Sequence, residues 1–342
     1  MRLLVIRTSA MGDVALVTPL LTEMKKQYPD AEIIMLTRSA FKSFFTESDN
    51  HSVFSPDFNK RHKGVPGLFT LYRDINKPGR IDHVIDLHDV IRSKILRLFF
   101  RMSGVPVSVI DKGRGEKRDL ISGKRKEQLK HTVIKYCDAF APAGFSLVPS
   151  DRQTIMPSAT AVNKAAEIIS GNTGLNIGVA PYAKHKLKMW PEEYMITLLN
   201  LVSAKQKTRF FLFGGKEESL PLKEFENIVQ GSVNLAGTLS LEEEIAVMSR
   251  LDFMIAMDSS NMHMAALAGT KVISIWGGTD PLGGFGAWMQ PDEYSVRIPI
   301  NELTCRPCTI FGKGECRRGD LACMNWLKPE IVLSKLKELK LL

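Results

Sequence analysis

The sequence predicts an α/β protein built from two Rossmann-like, doubly wound domains that face each other across a cleft. Short apolar runs alternate with helical patterns along the chain, and this alternation is typical of parallel sheets. The chain has 342 residues, which is too long for one ordinary core and suits two domains of about 150 residues each. Several apolar runs end in acidic, hydroxyl or glycine residues, at the sheet edge where open α/β folds bind ligands.

The predicted strands form two sets. In the first half of the chain they are Leu3–Arg7, Ile33–Thr37, Val84–Leu87 and Val107–Ile110. In the second half they are Ile177–Ala180, Phe210–Phe213, Phe253–Ala256 and Lys271–Ile275. The segments 141–144 and 150–157 lack a clear period and are interpreted as a linker. We therefore expect one domain at residues 1–155, a second at 156–328 and an amphipathic helix at 329–342.

The composition is that of a soluble globular protein with an uneven positive charge. Hydrophobic residues make up 44% of the chain, and no apolar run reaches the ~18 residues that a transmembrane helix requires. Residues 1–6 are interpreted as a strand, not a signal peptide, so we expect a cytoplasmic protein. The net charge is +9, and residues 60–135 carry 19 Lys and Arg against 8 Asp and Glu. This surface favours anionic partners, and the sequence has no nucleic-acid-binding signature, which argues against DNA or RNA.

The segment 91–101 interleaves basic and bulky apolar residues. A stripe at helical spacing predicts a helix that packs on the core through Ile91, Ile95, Leu98 and Phe99. The alternative is a helix that lies on a membrane surface, with three arginines at the lipid headgroups: Arg92, Arg97 and Arg101.

The most informative segment is 258–269, which lies between the apolar runs 253–256 and 272–275. It predicts a loop and an Ala-rich helix between two buried strands. The free backbone N–H groups at the start of such a helix favour an anion such as a diphosphate. Asp258 and His263 add side chains that can contact a ribose or a phosphate. The alternative is that Asp258 only caps the helix.

The first predicted strand ends in a second polar segment, 7–13. Gly12 would let the backbone approach a ligand closely, and Asp13 would lie at the mouth of the cleft. The segment matches neither the Gly-x-Gly-x-x-Gly fingerprint nor a Walker A loop, which argues against an NAD-linked dehydrogenase and a P-loop enzyme. Local chemistry is equally compatible with Asp13 as a helix cap.

A third polar segment follows the strand that ends at Ala180. Three lysines and a histidine crowd the loop before a helix that is predicted to begin near Pro191: Lys184, His185, Lys186 and Lys188. A solvated charged loop is the usual explanation of such a run. In the cleft, the same residues would compensate the charge of a phosphate.

Taken in order, these segments resemble the family 9 glycosyltransferases, the ADP-heptose:lipopolysaccharide heptosyltransferases. The resemblance rests on Arg7–Pro19, on Lys188-Met-Trp-Pro191 and on Asp258-Ser-Ser-x-x-His263-x-Ala-Ala. Further segments that match family patterns are Phe211–Gly215, Asn234–Gly237 and Thr279–Gly284. The matches span nearly the whole chain and imply the GT-B architecture, in which the helix at 329–342 crosses back to the first domain.

The resemblance implies an inverting transfer of heptose from ADP-heptose to a phosphorylated inner-core acceptor linked to lipid A, at the inner face of the cytoplasmic membrane. Asp13 would be the general base that deprotonates the acceptor hydroxyl, and Lys188 would neutralise the departing diphosphate. The donor would contact Gly12, Lys186, Glu217 or Glu218, Asp258, Ser259, Ser260 and His263. Basic residues of the first domain would receive the acceptor: Arg114, Lys124 and Arg125. The resemblance implies that transfer requires no cofactor.

Two departures from the family pattern keep other functions open. Ser260 stands where the family often has glycine, and Tyr182-Ala-Lys184-His185 replaces the Thr and Ser residues ahead of the lysine. The alternatives are a GT-B transferase with another nucleotide-sugar donor or a saccharide acceptor, and a non-catalytic nucleotide-sugar-binding protein. A sugar epimerase of the same architecture is a further alternative, for which we identify no additional acid or base residues.

Four cysteines cluster near the end of the chain: Cys305, Cys308, Cys316 and Cys323. The first two have Cys-x2-Cys spacing, which is typical of a structural zinc site, and a cytoplasmic location argues against disulfides. The second two lack this spacing, so a partial disulfide or simply packed thiols stay open. Cys137 stands apart and is predicted to be a core residue.

Overall fold

The computed structural model describes residues 1–46, 48 and 50–342, and its contacts divide the chain into two compact units. The first unit comprises residues 1–112 and 132–156, and the second comprises 113–131 and 157–342. The chain passes from the first unit to the second after Met156, one residue beyond the predicted boundary between residues 155 and 156. The prediction was wrong for residues 113–131, which we assigned to the first domain and which pack with the second unit.

The first unit is built on a parallel sheet of five strands in the order β3-β2-β1-β4-β5. These strands are β1 (Arg2–Ile6), β2 (Glu32–Leu36), β3 (His51–Phe54), β4 (His83–Asp86) and β5 (Val107–Val109). Residues 3–6 of β1 are completely buried, so side chains on both faces of this strand are shielded from solvent. The sequence analysis found four of these strands and missed β3, whose His51-Ser52-Val53-Phe54 is too polar to stand out.

The second unit contains a parallel sheet of six strands in the order β11-β10-β9-β6-β7-β8. Its strands are β6 (Leu175–Ala180), β7 (Thr208–Leu212), β8 (Ser232–Asn234), β9 (Phe253–Met257), β10 (Val272–Ile275) and β11 (Ser295–Val296). All four predicted strands are present, and the two missed strands are very short. Two parallel sheets in one chain confirm the predicted α/β class.

The α-helices that the structure describes are α1 (Met11–Ala15), α2 (Thr18–Gln27), α3 (Gly64–Asn76), α4 (Ile91–Met102), α5 (Arg114–Ile121), α6 (Thr132–Asp138), α7 (Ala159–Ile169), α8 (Glu192–Ser203), α9 (Ser219–Ile228), α10 (Leu241–Met248), α11 (Ser260–Leu267), α12 (Ala322–Asn325) and α13 (Pro329–Glu338). In the part of the chain described, no helix is long and apolar enough to cross a membrane. Helix α13 packs on α8 and contributes Val332, Leu333 and Leu336 to the core of the second unit. Its predicted crossing back to the first domain stays a prediction.

Helix α4 corrects one prediction. It forms where expected, and two residues of the predicted stripe, Ile95 and Phe99, are partly buried against the core. The fully buried apolar residues are Leu96 and Phe100, which lie on the other side of the helix. In the predicted stripe, Ile91 is 79% exposed and Leu98 is 53% exposed. The helix is apolar on two faces, so periodicity alone does not choose between them. Arg97 on α4 forms an ion pair with the fully buried Asp86 at the end of β4, at 2.8 Å. This ion pair holds the helix against the sheet.

Residues 113–131 join the second unit through backbone and apolar contacts. Leu120 and Leu129 form a small cluster with Ile310, and the N–H of Leu129 donates to the carbonyl of Leu282 at 2.9 Å. The Gln128 side chain donates to the carbonyl of Pro281 at 3.0 Å. These partners lie far along the chain, which is why sequence proximity suggested the wrong unit.

Candidate active site

At the carboxyl end of the second sheet, Lys188 and Asp258 form an ion pair. Lys188 Nζ lies 2.8 Å from Asp258 Oδ2, and the side chains are 16% and 8% exposed. Thr279 Oγ1 donates to the same carboxylate oxygen at 2.8 Å. Ser259, not Asp258, occupies the N-cap position of helix α11. The alternative in which Asp258 only caps this helix is therefore wrong. The sequence indicated both charged residues separately and gave no sign that they would pair.

The N-terminus of helix α11 lies directly after this pair. Ser259 Oγ is buried and has no hydrogen-bond partner among the residues described. Ser260 is the first helical residue and is half-buried, while His263 lies deeper in the helix and is buried. The first N–H groups of a helix have no partners within the helix, and its dipole favours an anion there. A buried hydroxyl beside these groups is suited to a phosphate oxygen.

The lysine-rich loop is electropositive, but its members differ in burial. Lys184 and Lys186 are exposed, as a solvated loop would have them, whereas Lys188 is largely buried. Burial lowers the pKa of His185, and the positive charges of Lys188, Lys184 and Lys313 lower it further. Lys313 therefore belongs to this positive region, which the sequence analysis missed because it lies far away in the cysteine-rich segment.

Glycine allows close packing around Lys188. Gly312 has φ +78°, and a Cβ there would lie 2.6 Å from Lys188 Cγ, so the backbone at this position packs directly on the lysine stem. The N–H of Gly278 donates to the carbonyl of Leu187 at 2.8 Å, which ties the turn to the loop after β10. Lys188 is thus held from two sides.

Arg306 is a buried residue that organises the same loop and that the sequence analysis did not identify. It is 5% exposed, and its guanidinium donates to the carbonyls of Gly277 at 2.6 Å and Thr279 at 3.1 Å. It also donates to the carbonyl of Ile298 and lies 3.3 Å from the buried carboxylate of Asp280. Arg306 therefore fixes the backbone that carries Thr279, and through Thr279 the orientation of Asp258.

The two candidate glutamates after β7 have different surroundings. Glu218 Oε2 accepts the N–H of Gly215 at 2.7 Å, and burial raises the pKa of Glu218. Glu217 is exposed beside it. Glu218 therefore stabilises its own turn, and donor contact by Glu217 stays a prediction.

In the first unit, Asp13 is held by Arg7. Arg7 Nη2 lies 2.7 Å from Asp13 Oδ2, while its Nη1 donates to the carbonyl of Leu87 at 2.7 Å. The side chain of Asp13 is 28% exposed, so it remains accessible from one side. It also accepts the N–H of Ala10 at 3.3 Å, a weak capping contact beside a short ion pair. Gly12 is buried within α1.

His88 lies next to this carboxylate site and was missed because it follows β4 without a recognisable motif. Its Nδ1 is 3.1 Å from Thr8 Oγ1, and its Nε2 is 3.3 Å from Ser9 Oγ. Burial, followed by the positive charge of Arg7, lowers the pKa of His88 to about 3. The ring is therefore neutral near pH 7 and can order the two hydroxyls that follow Arg7.

The predicted acceptor residues lie in the second unit, not in the first. Arg114 begins helix α5, and both Arg114 and Lys124 are exposed. Arg125 lies 3.4 Å from Glu127 and 3.9 Å from Glu116. Their grouping with the second unit follows from the packing of residues 113–131 described above.

All five cysteines are free thiols. Burial raises the pKa of Cys308 and raises that of Cys323 to about 11. Within residues 1–46, 48 and 50–342, no three His, Cys, Asp or Glu side chains are grouped so that they could hold a metal ion. Structural zinc at Cys305, Cys308, Cys316 and Cys323 thus stays a prediction without support from geometry. Cys137 is buried in the first unit, as predicted.

Comparison with known proteins gives a consistent result. A family model described as glycosyltransferase family 9 (heptosyltransferase) matches residues 73–309. The lipooligosaccharide heptosyltransferase 2 of Campylobacter jejuni is 21% identical over 338 residues, which cover 96% of this chain and 95% of that protein. The structure of a family 9 glycosyl transferase from Veillonella parvula matches with a TM-score of 0.78 at 19% identity, over 99% of this chain and 97% of that one. The structure of the Escherichia coli ADP-heptose LPS heptosyltransferase II matches with a TM-score of 0.70 at 18% identity, over 100% and 99% of the two chains.

Two parallel α/β sheets of this arrangement, with the family match across both units, define a glycosyltransferase. The chain belongs to glycosyltransferase family 9, the heptosyltransferases. The predicted family and enzyme class are confirmed, and the alternative of a non-catalytic binding protein is not supported.

Proposed function

We propose that this glycosyltransferase transfers heptose from ADP-heptose to a hydroxyl of a phosphorylated inner-core lipopolysaccharide acceptor, with inversion. The observation that carries the proposal is the pairing of Lys188 with Asp258 at the N-terminus of helix α11. A shielded cation, a buried hydroxyl and a helix N-terminus form one anion-binding arrangement. The E. coli relative that is named for ADP-heptose supports the choice of donor.

On the donor side, the diphosphate gains negative charge as the bond to the sugar breaks. Lys188 would neutralise that charge, because its ammonium has three N–H donors and its contact with Asp258 at 2.8 Å occupies only one direction. Ser259, Ser260 and the first N–H groups of α11 would hold the phosphate oxygens, with His263 behind them. Lys186 would add charge, and Gly12 and Glu217 complete the proposed donor contacts. No metal takes part in the proposed step.

On the acceptor side, we assign removal of the hydroxyl proton to Asp13. A general base must be ionised, accessible and fixed in direction. The ion pair with Arg7 at 2.7 Å orients the carboxylate, while the 28% exposed side chain leaves room for a substrate. The oxygen from which the proton is removed attacks the anomeric carbon, and ADP leaves from the opposite face.

The first test is calorimetric titration with ADP, ADP-heptose, UDP and UDP-glucose. We expect selective binding of the adenine ligands, at least ~10-fold weaker in Lys188→Ala and unchanged in Lys205→Ala, which alters an exposed lysine of the same unit. Transfer is then measured with a heptose-free inner-core acceptor and analysis of the product. Preference for uridine nucleotides would overturn the donor assignment. Binding of ADP-heptose without transfer to the inner-core acceptor would overturn the acceptor assignment.

A further inference from the structure

Helix α4 carries an apolar stripe that faces solvent. Ile91, Leu98 and Met102 are 79%, 53% and 76% exposed. Their spacing places them on one face of the helix, opposite the face that packs on the core through Leu96 and Phe100. A single exposed apolar residue is ordinary, but several on one face of a helix indicate an interaction surface.

The neighbouring helix α3 extends this apolar surface. Val65 and Phe69 are 54% and 47% exposed. Helices α3 and α4 pack side by side, and the Phe69 ring meets the Phe99 ring edge-on at 5.4 Å. We call the five exposed residues Val65, Phe69, Ile91, Leu98 and Met102 the α3–α4 surface.

Basic residues surround the α3–α4 surface. Arg73 on α3 and Arg92, Lys94 and Arg101 on α4 are all exposed. The Arg92 guanidinium lies over the Phe58 ring at 4.1 Å, which holds its charge close to the helix. Arginine and lysine around exposed apolar residues are typical of helices that lie in the headgroup region of a membrane.

The nearby acidic residues offset only part of this charge. Asp74 forms an ion pair with Arg61 at 2.8 Å, and Asp89 lies 3.3 Å from Arg97 and 3.7 Å from Lys94. Asp89 therefore compensates Lys94 in part. The border stays net positive through three exposed arginines: Arg73, Arg92 and Arg101.

We propose that the α3–α4 surface docks on an anionic lipid bilayer, with its apolar side chains at the boundary of headgroups and acyl chains and the surrounding cations at lipid phosphates. The relevance of this docking rests on the proposed function, in which the acceptor is a glycolipid. A second copy of the chain fits less well, because a symmetric contact would bring Arg92, Lys94 and Arg101 of both copies together. Docking is peripheral and reversible, and it weakens with salt as headgroup attraction is screened.

Sedimentation of the full chain with vesicles tests the proposal without donor or acceptor. The vesicles contain phosphatidylcholine alone or phosphatidylcholine mixed with phosphatidylglycerol. We expect wild type to bind the mixed vesicles, with release at high salt. The double variant Ile91→Glu/Leu98→Glu should lower the partition coefficient at least ~10-fold, because it removes two inserting side chains and adds two repelled charges.

Leu220→Glu is the matched control, because Leu220 is 80% exposed but lies on α9 in the second unit. It should bind vesicles as wild type does, and circular dichroism should show that every variant is folded. Equal binding by the Ile91→Glu/Leu98→Glu variant, or no binding of wild type to anionic vesicles, overturns the proposal. A dimer in sedimentation equilibrium that the double variant abolishes, without vesicle binding, would assign the surface to a second copy and also overturn it.

Kinetics separate this proposal from the proposed function. With a vesicle-embedded acceptor, Ile91→Glu/Leu98→Glu should raise the apparent KM about 10-fold or more, and with a deacylated, soluble acceptor kcat/KM should not change. If kcat/KM falls equally for both acceptors, the surface is not a membrane contact. If the protein binds vesicles but transfers no heptose, the docking proposal stands and only the proposed function is overturned.

Discussion

Lys188 and Asp258 meet at 2.8 Å although they belong to separate segments of the sequence. The reason is the order of the sheet, in which β6 and β9 are adjacent and parallel, with Ala180 opposite Ala256. Parallel neighbours end at the same edge, so the residues that follow them come together. The pair thus joins the lysine-rich loop and the helix α11 segment into one site.

Removal of Lys188 should damage both donor binding and chemistry. We expect Lys188→Ala to weaken ADP binding at least ~10-fold and to lower kcat/KM by roughly 100-fold, because the leaving group loses its cation and Asp258 stays as an unpaired negative charge beside it. The double variant Lys188→Ala/Asp258→Asn should therefore bind ADP more tightly than Lys188→Ala alone. Calorimetry and initial rates measure both effects. Unchanged kinetics in Lys188→Ala would place Lys188 outside the active site.

Asp13→Asn should separate catalysis from binding. The amide keeps the size of the side chain but accepts no proton, so turnover should fall at least ~100-fold while ADP affinity stays the same. Asp30→Asn, at an exposed carboxylate of the same unit, is the control and should be fully active. The measurement is kcat at saturating donor and acceptor together with calorimetric ADP binding. If Asp13→Asn keeps near-normal turnover, another group is the base.

The sequence predicted the strands best where both faces are buried, since a run such as Leu3–Ile6 must then be wholly apolar. It missed β3, β8 and β11, which are short and mostly polar or half-buried. It also assigned Ile91 and Leu98 of α4 to the core, because their spacing is that of a core stripe, whereas only Ile95 and Phe99 of that stripe pack against it. Whether an apolar stripe is buried or exposed depends on how the helix packs, and the spacing of apolar residues does not reveal this.

Polar motifs at strand ends were predictable, but their partners were not. Asp13 and Asp258 stood out because small and charged residues follow apolar runs at these points. Arg306 gave no signal, because its carbonyl partners become neighbours only when the loop after β10 folds over it. For the same reason, the place of Arg114 and Lys124 in the second unit depended on contacts with residues near Leu282.

Neutralisation of the basic residues around α5 should affect the acceptor and spare the donor. The triple variant Arg114→Gln/Lys124→Gln/Arg125→Gln should raise KM for a phosphorylated acceptor roughly 10-fold, because charge-assisted contacts to phosphate are lost, with ADP affinity unchanged. The control removes three exposed cations elsewhere in the same unit: Lys205→Gln/Arg250→Gln/Lys337→Gln. An equal rise in KM for a dephosphorylated acceptor would argue against phosphate recognition by these residues.

Arg306→Met should destabilise the second unit. It removes the cation 3.3 Å from the buried carboxylate of Asp280, which keeps Arg297 at 3.5 Å, and it removes the donor to four backbone carbonyls. We expect the free energy of unfolding to fall by about 3 kcal/mol, because buried carbonyls lose their donor and a buried carboxylate loses one of its cations. Denaturant unfolding measures this, with Arg250→Met at an exposed position as the control. A change below about 0.5 kcal/mol, the range of ordinary surface substitutions, would mean that Arg306 does not hold the loop.

The pH dependence of stability should contain a contribution from His51. This side chain is 7% exposed, its Nε2 has no hydrogen-bond partner among the described residues, and burial together with the charge of Lys25 lowers its pKa to about 4. In the unfolded chain its pKa is about 6.5. Above that pH the ring is neutral in both states, so it adds no pH dependence. As the pH falls from about 6.5 to about 4, the unfolded state binds a proton that the folded state does not, and stability is lost.

His51→Gln removes this titration and should flatten the pH profile. We expect wild type to lose on the order of 2 kcal/mol more than His51→Gln between about pH 7 and about pH 5. Other histidines titrate in both proteins, so the difference between their free energies of unfolding isolates His51. Between about pH 7 and about pH 8 that difference should stay constant, which provides an internal control. Parallel profiles at acidic pH would show that His51 takes up its proton in the folded state, and that its buried surroundings open before the unit unfolds.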